Sequence, residues 1–398
     1  MPRPCDIMCA GHLCVDITPR FHDTGAKAIG EILRPGKLVD VHEAAISTGG
    51  SVSNTGLNMK KLGNNVAFCA RVGDDVLGSL TIDLLRESGN PEGIRLVEGA
   101  ASAYTVVIAP PGIDRIFLHN TGTNDTFGPE DLDPELIGQC RQFHFAYPTL
   151  MARMFADEGG ELARVFQIAK EAGATTSCDL ALPDPASPAG KAPWRSILEK
   201  TLPYVDIFLP SIEEMLYMLE PETFLRMKEE HGGAELIDYL PPSVFSRIAE
   251  QVLAMGCTMT TLKAGHRGFY FRSGAAEGFE TMGAARPGDP ANWAHRELWA
   301  PALSIGTIAS ATGAGDASIA GFLTAYLRGM AIEQALKAAV CCGWQNLQQL
   351  DAVSGLRDWE QTLAFLEESR PTMPVNLGED GWREDTATGL WHGPNDAA

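Results

Sequence analysis

Positive charge is scarce in this chain of 398 residues: 31 Lys and Arg stand against 51 Asp and Glu, a formal net charge of −20. A nucleic-acid partner requires a basic face to replace the counterions of its phosphates, so the balance argues against that class. Also missing is any apolar run long enough to cross a bilayer, and no basic-then-apolar leader opens the chain. No membrane partner is expected. The nine cysteines, an odd number, contain no C-x-x-C pair. They read as small core residues of a protein in a reducing cytoplasm, the expected location. With 45% hydrophobic and 21% charged residues, the chain has the composition of a globular protein with one large α/β domain or two smaller ones. A polyphosphate ligand would need local help from helix ends, a few Lys or Arg, and Mg2+.

Segments of β-formers alternate with helical ones through most of the length. "VAFCARVG" and "FHFAY" read as strands, whereas "VSNTGLNMKKLG", "VLGSLTIDLLRESG" and "ELARVFQIAKEAG" read as helices that stop at glycine. Such alternation predicts a mostly parallel sheet with helices on both faces. Residues 14–45 and 99–125 break the pattern, being short, β-rich and turn-rich, and are expected to form a small sheet standing off the main layer as a lid. Residues 1–13, 46–98 and 126–365 then make the catalytic α/β domain. Gly, Pro and charge mark 221–242 and 284–297 as surface insertions, loops or short helices. The tail, 370–398, lacks periodicity and is expected to wrap the surface or fray.

The most informative stretch is "ATGAGDASIAGFLTAYLRG", residues 311–329. Ile319, Phe322, Leu323, Tyr326 and Leu327 share one helical face, and Gly329 supplies the stop. Gly313, Ala314 and Gly315 therefore lie at a helix N-terminus, where backbone N–H groups lack acceptors and the helix dipole is positive. Such an end seats anions, phosphate above all, and glycine allows close approach. A helix cap would account for Asp316 alone but not for the paired glycines. The alternative is a general base: a carboxylate that takes a proton from a hydroxyl while the N–H groups hold the transferring charge.

A second Gly-Gly turn precedes a helix in "ISTGGSVSNTGLNMKKLG". Gly49 and Gly50 let a hydroxyl approach the backbone, and Asn54 offers a donor and an acceptor on the first turn. Upstream, "CAGHLCVDITP" reads as a strand ending near Asp16, at the edge where ligand crevices of α/β sheets lie. Singly, each of these is a turn or a cap; together they make a hydroxyl-binding pocket.

In order and spacing the chain resembles the ribokinase-like kinases, also called phosphofructokinase-B carbohydrate kinases, over about residues 5–365. The resemblance rests on Asp16, Gly49-Gly50 with Asn54, "RVGDDVLG", "LPSIEEM" where the family carries N-x-x-E, "TLKAGHRG", and "ATGAGD" close to D-T-x-G-A-G-D. It implies a three-layer α/β/α sandwich with a β lid, and an ATP- and Mg2+-dependent kinase acting on a hydroxyl of a sugar or sugar-like molecule. By the same resemblance, Asp316 is the general base, with the backbone of Gly313, Ala314 and Gly315 as anion hole. Glu214 organises Mg2+, through water, while Lys263, Gly265 and Gly268 serve the nucleotide. Asp16, Gly49, Gly50 and Asn54 hold the substrate. An apolar outer face on the lid would favour a homodimer through it.

Departures qualify the expectation. Ser310 stands where the family motif begins with Asp, which puts the K+ site of related kinases in doubt, and Ala311 replaces its Thr. Ser211 replaces the Asn of N-x-x-E, and Ala181 and Pro183 replace the Asn and Arg that often follow the carboxylate at Asp179. No Arg or Lys cluster marks a phosphorylated sugar. Two other readings stay open: a nucleoside kinase of the adenosine type, and a non-catalytic sensor that keeps the fold.

Overall fold

Strand β1 (Cys5–Gly11) sorts its side chains by alternation. Met8 and Ala10 enter one hydrophobic core, and Ile7 and Cys9 enter a second on the opposite face. The same split recurs at Phe208 against Ile207, and at Trp299 against Leu298 and Ala300, so a single sheet separates two apolar layers. Burial on both faces is what a sheet built from crossover connections requires. The structure, a computed structural model, describes residues 3–88, 91, 93–113, 115–368, 370–377 and 381–397.

Seven strands of this sheet are parallel: β5 (Ile94–Val97), β4 (Val66–Gly73), β1, β8 (Cys140–Ala146), β9 (Thr175–Asp179), β10 (Ile207–Phe208) and β11 (Met259–Lys263), in that spatial order. Four antiparallel strands continue it: β12 (Phe269–Ser273), β13 (Glu297–Ala300), β15 (Leu390–His392) and β14 (Arg383–Asp385). With helices against both faces, this is the expected three-layer α/β/α sandwich. A separate four-stranded sheet has the order β3 (Val41–Gly49), β2 (Cys14–Phe21), β6 (Tyr104–Ile108), β7 (Ile116–Asn120).

Several expectations need correction. The strand expected to end near Asp16 is two strands: β1 ends at Gly11, and Asp16 is the third residue of β2, in the small sheet. Nor is the tail loose. Its strands β14 and β15 extend the main sheet, and Asp396, its side chain fully buried, accepts from Arg296 Nε at 2.8 Å and from the Glu297 N–H at 3.0 Å. Glu297 in turn accepts from Asn395 N and Nδ2, each at 2.8 Å. Pattern reading missed this because the anchors are polar and lie about 100 residues away. For the same reason 284–297 is not simply a surface insertion: Trp293, Arg296 and Glu297 are all buried.

Helix Ala314–Leu327 also differs from a one-faced amphipath, since it is buried nearly all round, among helices Ser51–Lys61 and Ile332–Asn346. Small residues permit this: a side chain at Gly321 would meet the Ala338 carbonyl at 2.5 Å. Gly329 ends the helix at φ +71°, with Met330 N bonded to Ala325 O and Gly329 N to Tyr326 O, a Schellman cap. No disulfide joins the cysteines, eight of which are buried, and no described helix is long and apolar enough to cross a membrane.

Candidate active site

The carboxyl-terminal edge of the parallel strands gathers the chemistry. β8 ends at Ala146 before Tyr147, β9 ends in Asp179, β10 leads to Ser211 and Glu214, and β11 ends in Lys263. Above them starts helix Ala314–Leu327, with Gly313 at its N-cap (φ +74°) and Asp316 at the third helical position. A side chain at Gly313 would strike Ala352, so both the turn and the packing demand glycine there.

Asp316 is buried, and its carboxylate accepts from Asn54 Nδ2 at 3.0 Å, Thr55 Oγ1 at 3.2 Å and Tyr147 Oη at 2.9 Å to each oxygen. Burial pushes its pKa up, while these donors and Lys263 pull it back. Lys263 Nζ pairs with Asp179 and donates to the Leu209 carbonyl at 2.9 Å. Burial opposes its charge, but Asp179 and Glu214 outweigh that and raise its pKa. Its stem lies beside Gly315, where an added Cβ would stand 3.4 Å from Lys263 Cδ. Lys263, expected to meet the nucleotide, is thus first the counter-ion of Asp179, beside the helix N-terminus.

Ser211 and Glu214 form a capping box: Ser211 N–H donates to Glu214 Oε2 at 2.7 Å, and Glu214 N–H donates to Ser211 Oγ at 3.3 Å. The serine in the family's Asn position is therefore a helix cap. Burial raises the pKa of both Glu214 and Asp179, and they repel each other and Asp316. Asp179 and Glu214, buried carboxylates that share Lys263, are hard oxygen donors of the type that Mg2+ takes.

The pocket residues are also brought together, for reasons beyond those read from sequence. Asp16 lies over Gly49, where an added Cβ would stand 2.2 Å from Oδ1. Gly50, at φ +83°, packs on His12. Both glycines are needed by the protein's own contacts. Of the N–H groups expected to form an anion hole, that of Ala314 donates to the Ala311 carbonyl at 3.3 Å. The turn after β11 separates its two glycines: Gly265 has nothing within 4 Å of an added Cβ, whereas one at Gly268 would meet the Ala300 carbonyl at 2.0 Å. Gly265 lies open; Gly268 is fixed by packing.

Sequence reasoning missed Tyr147, Thr55, His12 and His119. "FHFAY" placed Tyr147 inside a strand, yet it sits just past the end at φ +62°, a costly conformation for a bulky residue and one that clusters at functional sites. Its signal was the following proline and the strand-end position. Thr55 directly follows the identified Asn54 on helix Ser51–Lys61.

Among solved structures, the chain is similar to an Arabidopsis thaliana ribokinase complexed with ribose and ATP (TM-score 0.65, 16% identity, 92% of this chain and 99% of that one). It is likewise similar to a Xylella fastidiosa fructokinase with bound ATP (0.66, 17%, 92% and 99%) and a Sinorhizobium meliloti adenosine kinase (0.63, 19%, 91% and 99%). At these identities the likeness is one of fold. By sequence it is 25% identical over 338 residues to an ATP-dependent ribose-1-phosphate kinase of Halopiger xanaduensis, covering 85% of this chain and 90% of the relative. It is 26% identical over 177 residues to a Solanum tuberosum fructokinase, covering 44% and 50%. The chain spans about half the length of the plant fructokinases that it matches. The family profile described as "pfkB family carbohydrate kinase" matches residues 6–359, most of the chain, and the protein belongs to that family.

Proposed function

We propose that the protein is an ATP-dependent kinase that phosphorylates a hydroxyl of a sugar or sugar-like small molecule. The observation that carries this reading is Asp316 itself, a buried carboxylate on the first turn of a glycine-led helix, with Lys263 alongside. Phosphoryl transfer through a loose transition state requires positioning and charge stabilisation above all. The acceptor hydroxyl lies against Asp316, which takes its proton as the new P–O bond forms. N–H groups of the Gly313–Gly315 turn hold the charge on the transferring phosphoryl group, and Lys263 adds its own. Glu214 and Asp179 would hold Mg2+, through water in the case of Glu214, and the ion supplies charge neutralisation at the phosphates. Asp16, Asn54 and the backbone of Gly49 and Gly50 orient the substrate. The small sheet acts as a lid that excludes water, which would otherwise accept the phosphoryl group.

The lid also supports a homodimer. β7 is an edge strand with three consecutive exposed apolar residues, Ile116, Phe117 and Leu118, and Ile46 on β3 is exposed as well. An uncovered apolar edge is a template for pairing, and a second copy of the lid would cover it. A panel of sugars and nucleosides with Mg-ATP, read by ADP release, tests the activity. Turnover of a sugar supports the proposal. Turnover of nucleosides alone replaces it with the adenosine-kinase reading, and ligand binding without turnover replaces it with a sensor.

A further inference from the structure

Three soft or borderline donors meet where the small sheet joins the main layer. His12 follows β1, Cys14 opens β2, and His119 lies on β7; their ligand atoms all fall within 4.8 Å of one another. The two imidazole Nε2 atoms are 3.1 Å apart. Two nitrogens on one tetrahedral zinc, each at about 2.0–2.1 Å, stand roughly 3.3 Å apart, so little movement is needed. His119 Nδ1 is engaged by Thr105 Oγ1 at 3.0 Å, which leaves Nε2 facing the cluster. An outer hydrogen bond of this kind orients a ligating imidazole. His12 is 2% exposed, and its Nδ1 has no hydrogen-bond partner. Asp16 Oδ1 is 3.4 Å from Cys14 Sγ, placing a carboxylate oxygen beside the thiol.

We propose that His12, Cys14 and His119, with Asp16 as oxygen donor, form a site for a borderline-soft divalent metal of the Zn2+ class that locks the small sheet onto the main layer. The metal replaces the thiol proton of Cys14, which leaves to solvent, and the bound thiolate and carboxylate neutralise the dication. Thiolate and imidazole select zinc-like ions over Mg2+, so Mg-ATP does not compete for the site. Because Asp16 is shared, an occupied site blocks the hydroxyl pocket; this consequence alone rests on the pocket reading above.

Full-length protein, stripped with chelator and kept under a phosphine reductant, is titrated with Co2+ and followed by absorption. One equivalent should give the visible bands of a tetrahedral ion and a thiolate charge-transfer band, both abolished by added Zn2+. Cys14→Ser should lose the charge-transfer band, and His119→Ala should weaken binding at least about tenfold, with circular dichroism unchanged. Zn2+ should also raise amide protection along β7. The absence of a tetrahedral spectrum, or a charge-transfer band that survives in Cys14→Ser, overturns the site. Unaltered exchange on β7 overturns the lock. Neither readout depends on kinase activity, so failure here is distinguishable from failure of the proposed function.

Discussion

Tyr147 donates its hydroxyl to both oxygens of Asp316, at 2.9 Å each, from a backbone held at φ +62°. A phenol therefore lies against the carboxylate at the place where an acceptor hydroxyl would donate. Hydrogen bonding to the ionised form holds the Asp316 pKa down against burial, which pushes it up. In Tyr147→Phe that support is lost and the pKa rises further. If Asp316 is the base, as proposed, activity requires its ionised form and falls as pH drops through its pKa, so the acid limb of kcat/KM should move to higher pH. A limb that stays in place, or moves to lower pH, removes Tyr147 from the control of the base.

Asp316→Asn keeps the shape of the side chain but replaces one accepting oxygen with an amide nitrogen, which removes the carboxylate proposed as the base. We expect kcat to fall about 10²–10⁴-fold, with nucleotide binding little changed. Near-wild-type turnover in this variant would take Asp316 out of the mechanism.

Much of this was legible in the sequence, for reasons that can be traced to particular residues. Val66–Gly73 declared itself as a short run of β-formers and Ser51–Lys61 as a helix that stops at glycine, although both are buried on more than one face. Gly313 and Asp316 were readable because a positive φ and a helix N-terminus each leave a mark within a few residues. Tyr147 was not, since its role depends on Asp316, 169 residues away. His12 and His119 are 107 residues apart and meet only through the small sheet. The roles of Gly49 and Gly50 were half legible: the demand for glycine was clear, but its causes, Asp16 and His12, lie across strand pairings.

The tail hairpin supplies a stability prediction. The Asp396 carboxylate is fully buried and holds Arg296 at 2.8 Å and His392 Nδ1 at 2.6 Å. Asp396→Ala leaves Arg296, itself 3% exposed, with Glu333 as its remaining ion-pair partner among the described residues, beside the Asn292 carbonyl. Stripping one side of a buried pair costs about 3 kcal/mol, to be measured as a lower urea midpoint at unchanged slope. A midpoint within error of wild type would mean that the tail does not hold the sheet edge.

The apolar edge of β7 leads to a prediction about assembly. Light scattering on the purified protein should report a dimer, and Leu118→Glu, placing a charge on the exposed edge, should convert it to monomer with the fold intact. Leu118 is 53% exposed in the single chain, so the substitution does not disturb a core. A wild-type monomer at assay concentrations, or a dimer that tolerates Leu118→Glu, would place any contact between copies elsewhere.

The last prediction concerns the monovalent cation. A carboxylate beside the anion hole would attract K+, whose charge would reinforce the neighbouring N–H groups, but Ser310 stands there instead. Its hydroxyl is a neutral ligand, and it already accepts from the Thr312 N–H at 3.0 Å. The Thr312 carbonyl, a candidate backbone ligand, accepts from Asn346 Nδ2 at 2.7 Å. Hard cations prefer charged oxygens when water competes, and neither oxygen here is charged. Activity should therefore depend on Mg2+ and change little when K+ is added back to a tetramethylammonium buffer at constant ionic strength. A large rise in rate with K+ would show that the carbonyls of 308–312 rearrange to hold the ion without a carboxylate. Where wild type is indifferent to K+ as expected, Ser310→Asp should make the enzyme K+-responsive, and its failure to do so would sever the link between this position and the cation.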